Sequence, residues 1–278
     1  MPYRSLLFVP GHRESMLAKA TQLEADAVVF DLEDSVPPDQ RAAAREMVRE
    51  MLRGWSGAAR PFVRLNAPLA GALAEDLTVI DGVDAGVVIP KIDFPVELDA
   101  VFDALRGRQR EMIVTLETPR SLLRAEEIAD TRGVHGIFLG GEDLTNALRS
   151  RRTPGGAELT WARNVTLVAA RAAGVDAYDT ICPEFRDVDT LTIDCSVAAS
   201  MGFDGKFAIH PAQIPIIHLA FSPSSAEIDH ARRIVTAFDD ALSQGRGAIE
   251  VDGQMVDPPV AERARALLAR PRHTSVAD

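Results

Sequence analysis

Carboxylates recur in one setting along this chain: each closely follows a short apolar run. They are Asp31, Glu33, Asp34, Glu117, Asp143 and Asp179. Arg64 and Lys91 stand at the ends of two further runs, Arg13 follows the first and His210 the last. Like charges gathered in one place repel unless something positive sits among them. A hard divalent cation is the economical counter-charge. Mg²⁺ takes oxygen ligands, keeps several waters and commonly uses only one or two protein carboxylates together with substrate oxygens. No His/Cys spacing suggests zinc. Arg64 and Lys91 supply positive charge for an anionic substrate, and a planar guanidinium suits a carboxylate or a polarised carbonyl.

Each residue also has a structural reading. Glu117 and Asp143 precede helix-like segments, so capping competes evenly with metal ligation. Asp31 fits a structural salt bridge, Glu33 and Asp34 a solvated loop, and His210 before a proline a packing role. Arg64 favours function, because a charge aimed into a barrel mouth needs a partner.

These residues share a site only if the elements beneath them converge. Apolar runs of strand length fall at Ser5–Val9, Ala27–Phe30, Phe62–Leu65, Gly86–Ile89, Met112–Leu116, Gly136–Leu139, Val175–Tyr178 and Lys206–Ile209. Helical patterns lie between them at Arg41–Arg53, Pro95–Leu105, Ser121–Ala129, Trp161–Ala173 and Val188–Met201. Strands alternating with helices indicate a parallel α/β fold. Eight such units predict a (β/α)₈ barrel, with an open doubly wound sheet as the alternative. In a parallel barrel, function gathers at the carboxyl ends of the strands, where these charges fall.

The barrel is expected over residues 1–222 and a C-terminal extension over 223–278. In the extension the pattern predicts a helix at Ile228–Leu242, a small hairpin near Ile249–Met255 and a helix at Val260–Leu268. The tail past Arg270 reads as frayed. The extension would cap the barrel or reach a neighbouring subunit.

With 278 residues, 46% hydrophobic and 26% charged, the chain is ordinary globular in composition. A formal net charge of −11 argues against nucleic-acid and anionic-membrane partners. No apolar run reaches the roughly 20 residues of a membrane helix. Nothing at the N-terminus reads as a signal peptide, and a cytoplasmic location is expected. Cys182 and Cys195 read as buried thiols in a reducing compartment.

The strand-end motifs carry a resemblance. RSLLFVPGHR (4–13), ADAVVFDLEDSV (25–36), VRLNA (63–67), VVIPK (87–91), LETPRSL (116–122) and FLGGEDLTNAL (138–148) run in order. GFDGKFAIHPAQI (202–214), AFSPSSAEIDHARRIV (220–235) and VDGQMVDPP (251–259) complete the set. Together they resemble the citrate lyase β-subunit-like group of the HpcH/HpaI aldolase superfamily, including its malyl- and citramalyl-CoA lyase-like members.

The resemblance implies a TIM barrel with a C-terminal helical extension, assembled as a homotrimer or homohexamer. It implies Mg²⁺-dependent cleavage or formation of a carbon–carbon bond between an acyl-CoA thioester and a 2-oxo acid. Glu117 and Asp143 would be the metal ligands, with Glu33 and Asp34 holding metal-bound waters. Arg64 would bind substrate near the thioester carbonyl. Backbone N–H groups around Gly140, Gly141 and Glu142 would hold the oxo-acid carboxylate, with Lys91 and Arg13 near the CoA. Asp257 would act as general acid/base in a neighbouring subunit, although Asp before Pro258-Pro259 is also a good helix N-cap. Alternatives within reach are a citrate lyase β subunit acting on a citryl-acyl-carrier thioester, a class II 2-oxo-acid aldolase without CoA, and an inactive metal-binding barrel.

Overall fold

The computed structural model describes residues 2–105 and 110–269. Eight strands follow the apolar runs: β1 (Ser5–Pro10), β2 (Ala27–Asp31), β3 (Arg60–Arg64), β4 (Gly86–Ile89), β5 (Met112–Leu116), β6 (Val134–Leu139), β7 (Asp176–Asp179) and β8 (Gly205–Ala208). All pair in parallel and in chain order into a closed barrel. β8 returns to β1 through Ser5↔Lys206 and Leu7↔Ala208, which rules out the open sheet.

The helices match the pattern closely, at Arg41–Arg53, Pro95–Ala104, Thr160–Ala173 and Val188–Met201. The segment expected as one helix over Ser121–Ala129 is two short ones, Pro119–Leu122 and Ala125–Ala129. Thr118 and Ser121 form a capping box with Pro119 at the first helical position, so the first helix starts early. Arg124, at φ −124° and ψ 19°, then interrupts it.

The barrel is filled by alternate residues of the strands. Leu6, Ala27, Val29, Phe62, Val88, Ile113, Phe138, Tyr178 and Phe207 form the interior cluster. Phe138 and Phe207 stack with centroids 3.8 Å apart. Because strand side chains alternate between faces, continuing this series upward predicts where each strand end points. Val29 leads to Asp31, Phe62 to Arg64, Ile113 through Thr115 to Glu117, Phe138 to Gly140, and Tyr178 to Thr180.

Asp179 falls on the other phase. It was expected on the rim with the other carboxylates, and the structure corrects this. Asp179 is fully buried and bonded to Arg163, at 2.9 Å from both Nε and Nη2, and to Lys206 Nζ at 2.7 Å. Asp194 completes the group, 2.6 Å from Arg163 Nη2 and 2.7 Å from Lys206 Nζ. Arg163 and Asp194 come from the helices Thr160–Ala173 and Val188–Met201, so this quartet lies between strands and helices.

The chain divides into two compact units, Pro2–Ile217 and the part from His218 onward. The second contains the helix Ser225–Ser243, an antiparallel hairpin of β9 (Ile249–Val251) and β10 (Gln254–Val256), and the helix Pro258–Leu268. Its core is Ala231, Ile234, Phe238, Val256, Ala261 and Ala264. A Ser224–Glu227 capping box opens its long helix. The tail past Arg270 lies outside the described residues. No helix among the described residues is long and apolar enough to cross a membrane. Cys182 and Cys195 are buried free thiols, pushed up by burial to about 11 and about 12, as expected of inert core cysteines.

Candidate active site

Arg64 and Asp31 are register partners across β3 and β2, and both face the barrel mouth. The guanidinium fork meets the carboxylate in two bonds of 2.7 Å, Nε to Oδ1 and Nη2 to Oδ2. Asp31 is 1% exposed and also accepts the N–H groups of Glu33 and Ser35. Burial opposes its ionisation, but Arg64 outweighs burial and holds the carboxyl below its ordinary range. The structural reading of Asp31 is therefore the one realised: it clamps Arg64. Phe8 adds a ring face 4.6 Å from the guanidinium carbon.

Glu33 and Asp34 both reach the Lys91 ammonium, Asp34 through Oδ1 at 2.8 Å. Glu33 is buried, and burial pushes its carboxyl up, opposed by Arg64 and Lys91. Its Oε2 makes no hydrogen bond and lies 3.4 Å from Arg64 Nη1. Lys91 itself sits at φ 55°, a left-handed conformation unusual for a side chain with a Cβ. There its backbone N–H donates to Glu117 Oε1 at 2.6 Å. Arg64, Asp31, Glu33, Lys91 and Glu117 thus form one continuous chain of contacts from β2 to β5.

Glu117 is 4% exposed. Its carboxyl is pushed up to about 8, first by burial and then by the charge of Asp143, against the Lys91 N–H. Asp143 is half-buried in the first turn of the helix Gly141–Ala147. A buried carboxyl raised further by the charge of a second carboxylate beside it makes, with that neighbour, a donor set to which a cation fits. Among the described residues, no three His, Cys, Asp or Glu side chains form a ready-made metal cage. Two carboxylates completed by water and substrate oxygens suit Mg²⁺ rather than zinc.

The turn before Asp143 is tightly wedged. A Cβ on Gly140 would lie 2.5 Å from Glu117 Cβ, and one on Gly141 would lie 2.5 Å from Thr180 Oγ1. The Gly140 N–H donates to Leu116 O at 3.0 Å, and the Gly141 N–H to Thr180 Oγ1 at 3.0 Å. Both were expected to bind an oxo-acid carboxylate. In this structure each of the two N–H groups already has a partner within the protein. The Glu142 side chain is exposed and pairs with Arg152 at 3.1 Å.

Arg13 is exposed at the start of the short helix Glu14–Leu17. Its loop lies against the end of β2, where the Gly11 N–H donates to Asp31 O at 2.9 Å. Asp257, in the second unit, caps the helix Pro258–Leu268: its Oδ1 accepts the Val260 N–H at 3.2 Å. Two features escaped the sequence reading, the left-handed backbone of Lys91 and the Thr180 hydroxyl. For Thr180 a signal existed: it continues the inward phase of Tyr178.

Fold and rim define a (β/α)₈-barrel enzyme with an acidic, arginine-bearing mouth. The chain belongs to the HpcH/HpaI aldolase/citrate lyase family, which matches residues 4–211, and so to a family of lyases. It is 38% identical to a (3S)-malyl-CoA thioesterase from Cereibacter sphaeroides, over 97% of this chain and 94% of that protein. It is also 38% identical to the citrate lyase subunit beta of Escherichia coli, over 96% and 92%. A crystal structure of CitE from Mycobacterium tuberculosis, in complex with magnesium, acetoacetate and coenzyme A, superposes with a TM-score of 0.83. That chain is 33% identical, with coverage of 96% of this chain and 97% of the other.

Proposed function

We propose that the protein is a Mg²⁺-dependent carbon–carbon lyase acting on a 3-hydroxyacyl-CoA such as malyl-CoA or citramalyl-CoA. It releases acetyl-CoA and a 2-oxo acid, or joins them in reverse. The observation that carries this is the Glu117–Asp143 pair beside an arginine whose orientation Asp31 fixes. Mg²⁺ held by these two carboxylates would supply Lewis acidity that eases ionisation of the substrate hydroxyl.

In cleavage the 3-hydroxyl loses its proton, the C2–C3 bond breaks, and the electron pair passes into the thioester enolate. Protonation at C2 then gives acetyl-CoA. Arg64 stabilises the enolate oxygen, and its clamp on Asp31 removes the cost of orienting it at the moment of reaction. The N–H groups of Glu142 and Asp143, in a first helical turn where main-chain donors lack intrahelical partners, receive the oxo-acid carboxylate. Glu33 and Asp34 order water at the carboxylate pair, and Lys91 and Arg13 face the CoA. The protein works as a homotrimer or homohexamer, in which Asp257 of one subunit serves a neighbour's site as general acid/base.

The test is incubation of purified protein with a panel of 3-hydroxyacyl-CoA thioesters, with Mg²⁺ or EDTA, resolving 2-oxo acid, acetyl-CoA and free CoA. EDTA-sensitive appearance of 2-oxo acid with acetyl-CoA, absent in Asp143→Ala, supports the lyase. Free CoA without 2-oxo acid would instead make it a thioesterase, the reading favoured by the Cereibacter sphaeroides relative. No release from folded, Mg²⁺-supplied protein would shift the proposal to a carrier-dependent citrate lyase β subunit or a CoA-independent aldolase. Asp257→Ala should lower turnover about 10²-fold or more with substrate affinity kept. Unchanged turnover would leave Asp257 a helix cap alone.

A further inference from the structure

We infer that Thr180, at the end of β7, is a positioning residue for the carboxylate pair: its hydroxyl oxygen holds the Gly140–Gly141 turn that sets Asp143 against Glu117. The inference rests on the reading of Glu117 and Asp143 as metal ligands.

The turn is held from three sides at once, by two strands and by its own helix. From β5, Leu116 O accepts the Gly140 N–H at 3.0 Å, and the Glu117 side chain occupies the space where a Gly140 Cβ would stand. From β7, Thr180 Oγ1 accepts the Gly141 N–H at 3.0 Å, and it too occupies the place of a Cβ. From within the helix, Thr145 Oγ1 donates to Gly141 O at 2.6 Å. Asp143 follows two residues after Gly141, so any rotation of this turn moves its carboxylate relative to Glu117.

Thr180 is itself immobilised. It is fully buried, and its carbonyl oxygen accepts from Lys206 Nζ at 2.5 Å. Lys206 is the cation that Asp179 and Asp194 hold behind the barrel wall. The sealed quartet therefore reaches the mouth through two bonds, Lys206 to the Thr180 carbonyl and the Thr180 hydroxyl to the Gly141 N–H. A buried donor seeks a partner. With valine at 180, the Gly141 N–H loses its partner at unchanged side-chain volume, and the turn must shift to find another.

The experiment titrates Mg²⁺, and Mn²⁺ as a spectroscopic probe, into wild type, Thr180→Val and Thr180→Ser, with melting temperatures taken in EDTA. Thr180→Val should bind metal about 10–100-fold more weakly, the usual cost of losing a group that orients a ligand. Thr180→Ser should restore affinity to near the wild-type value, because it returns the oxygen. Equal affinity in Thr180→Val with only the melting temperature lowered would overturn the inference and leave Thr180 a packing residue. Should Thr180→Val fail to fold, Gly141→Ala is read in its place. Its Cβ displaces the same hydroxyl, so weakened binding supports the inference and wild-type binding overturns it. Wild-type protein that takes up neither metal would overturn the ligand reading itself, and this inference with it.

Discussion

Two clusters of mixed charge lie on opposite sides of the barrel wall, and they differ in balance. Behind β7 and β8, Arg163 and Lys206 face Asp179 and Asp194: two cations, two carboxylates, all buried. In the mouth, Arg64 and Lys91 face Asp31, Glu33, Asp34, Glu117 and Asp143: two cations, five carboxylates. The first group is neutral and closed, so its chemistry is finished by folding. The second carries excess negative charge, and without a further cation Glu117 keeps its proton up to about 8. A balanced set of buried charges is architecture, whereas an unbalanced one at a strand-end rim invites a ligand.

The largest effect expected from this contrast is on stability. Lys206→Met leaves Asp179 and Asp194 short of a cation in a sealed site, which costs about 3–5 kcal/mol. Urea unfolding should show the loss directly, and a change near zero would mean that the quartet is not the closed unit described. Next comes Arg64→Lys. It keeps a charge beside Asp31 but loses the fork, so turnover should fall about 10²–10³-fold. Its urea midpoint should lie much closer to wild type than that of Lys206→Met. The opposite ranking would erase the distinction between the two clusters.

A smaller effect is read by pH, and Lys206→Met isolates the quartet's share of it. In Asp179, as in Asp31, burial opposes ionisation but the paired cations outweigh it, so both carboxyls titrate below the ordinary range. As pH falls, the unfolded state therefore binds their protons first. The stability they contribute is full above a pH of about 4 and is lost as the pH drops through their folded values. Melting temperature against pH should fall on the acid side in wild type, and more shallowly in Lys206→Met. The smallest effect belongs to the Glu142–Arg152 pair, whose carboxylate is exposed. Glu142→Gln should change stability by about 1 kcal/mol or less and leave turnover near the wild-type value. A large loss of turnover would return the Glu142 side chain to the site.

Much of this was legible in the sequence. The helices Arg41–Arg53 and Val188–Met201 follow the expected limits residue for residue, and every apolar run became a strand of one closed barrel. Arg64 and Glu117 could be placed at the rim because the period of two is a local property of each strand. The same period, applied one residue more strictly, separates Thr180 from Asp179. Run length alone did not reveal that phase, so Asp179 was grouped with the rim.

What the sequence by itself determined is the order of elements and the residue types delivered to their ends, because hydrophobic period and turn chemistry act over a few neighbours. Which group satisfies which was decided only by the tertiary structure. Asp31 finds Arg64 at 33 residues' separation, Glu33 finds Lys91 at 58, and Gly141 finds Thr180 at 39. Barrel closure sets those meetings, because it fixes the facing and height of each strand end against the next. They decide which carboxylates are neutralised within the protein and which are left facing a ligand.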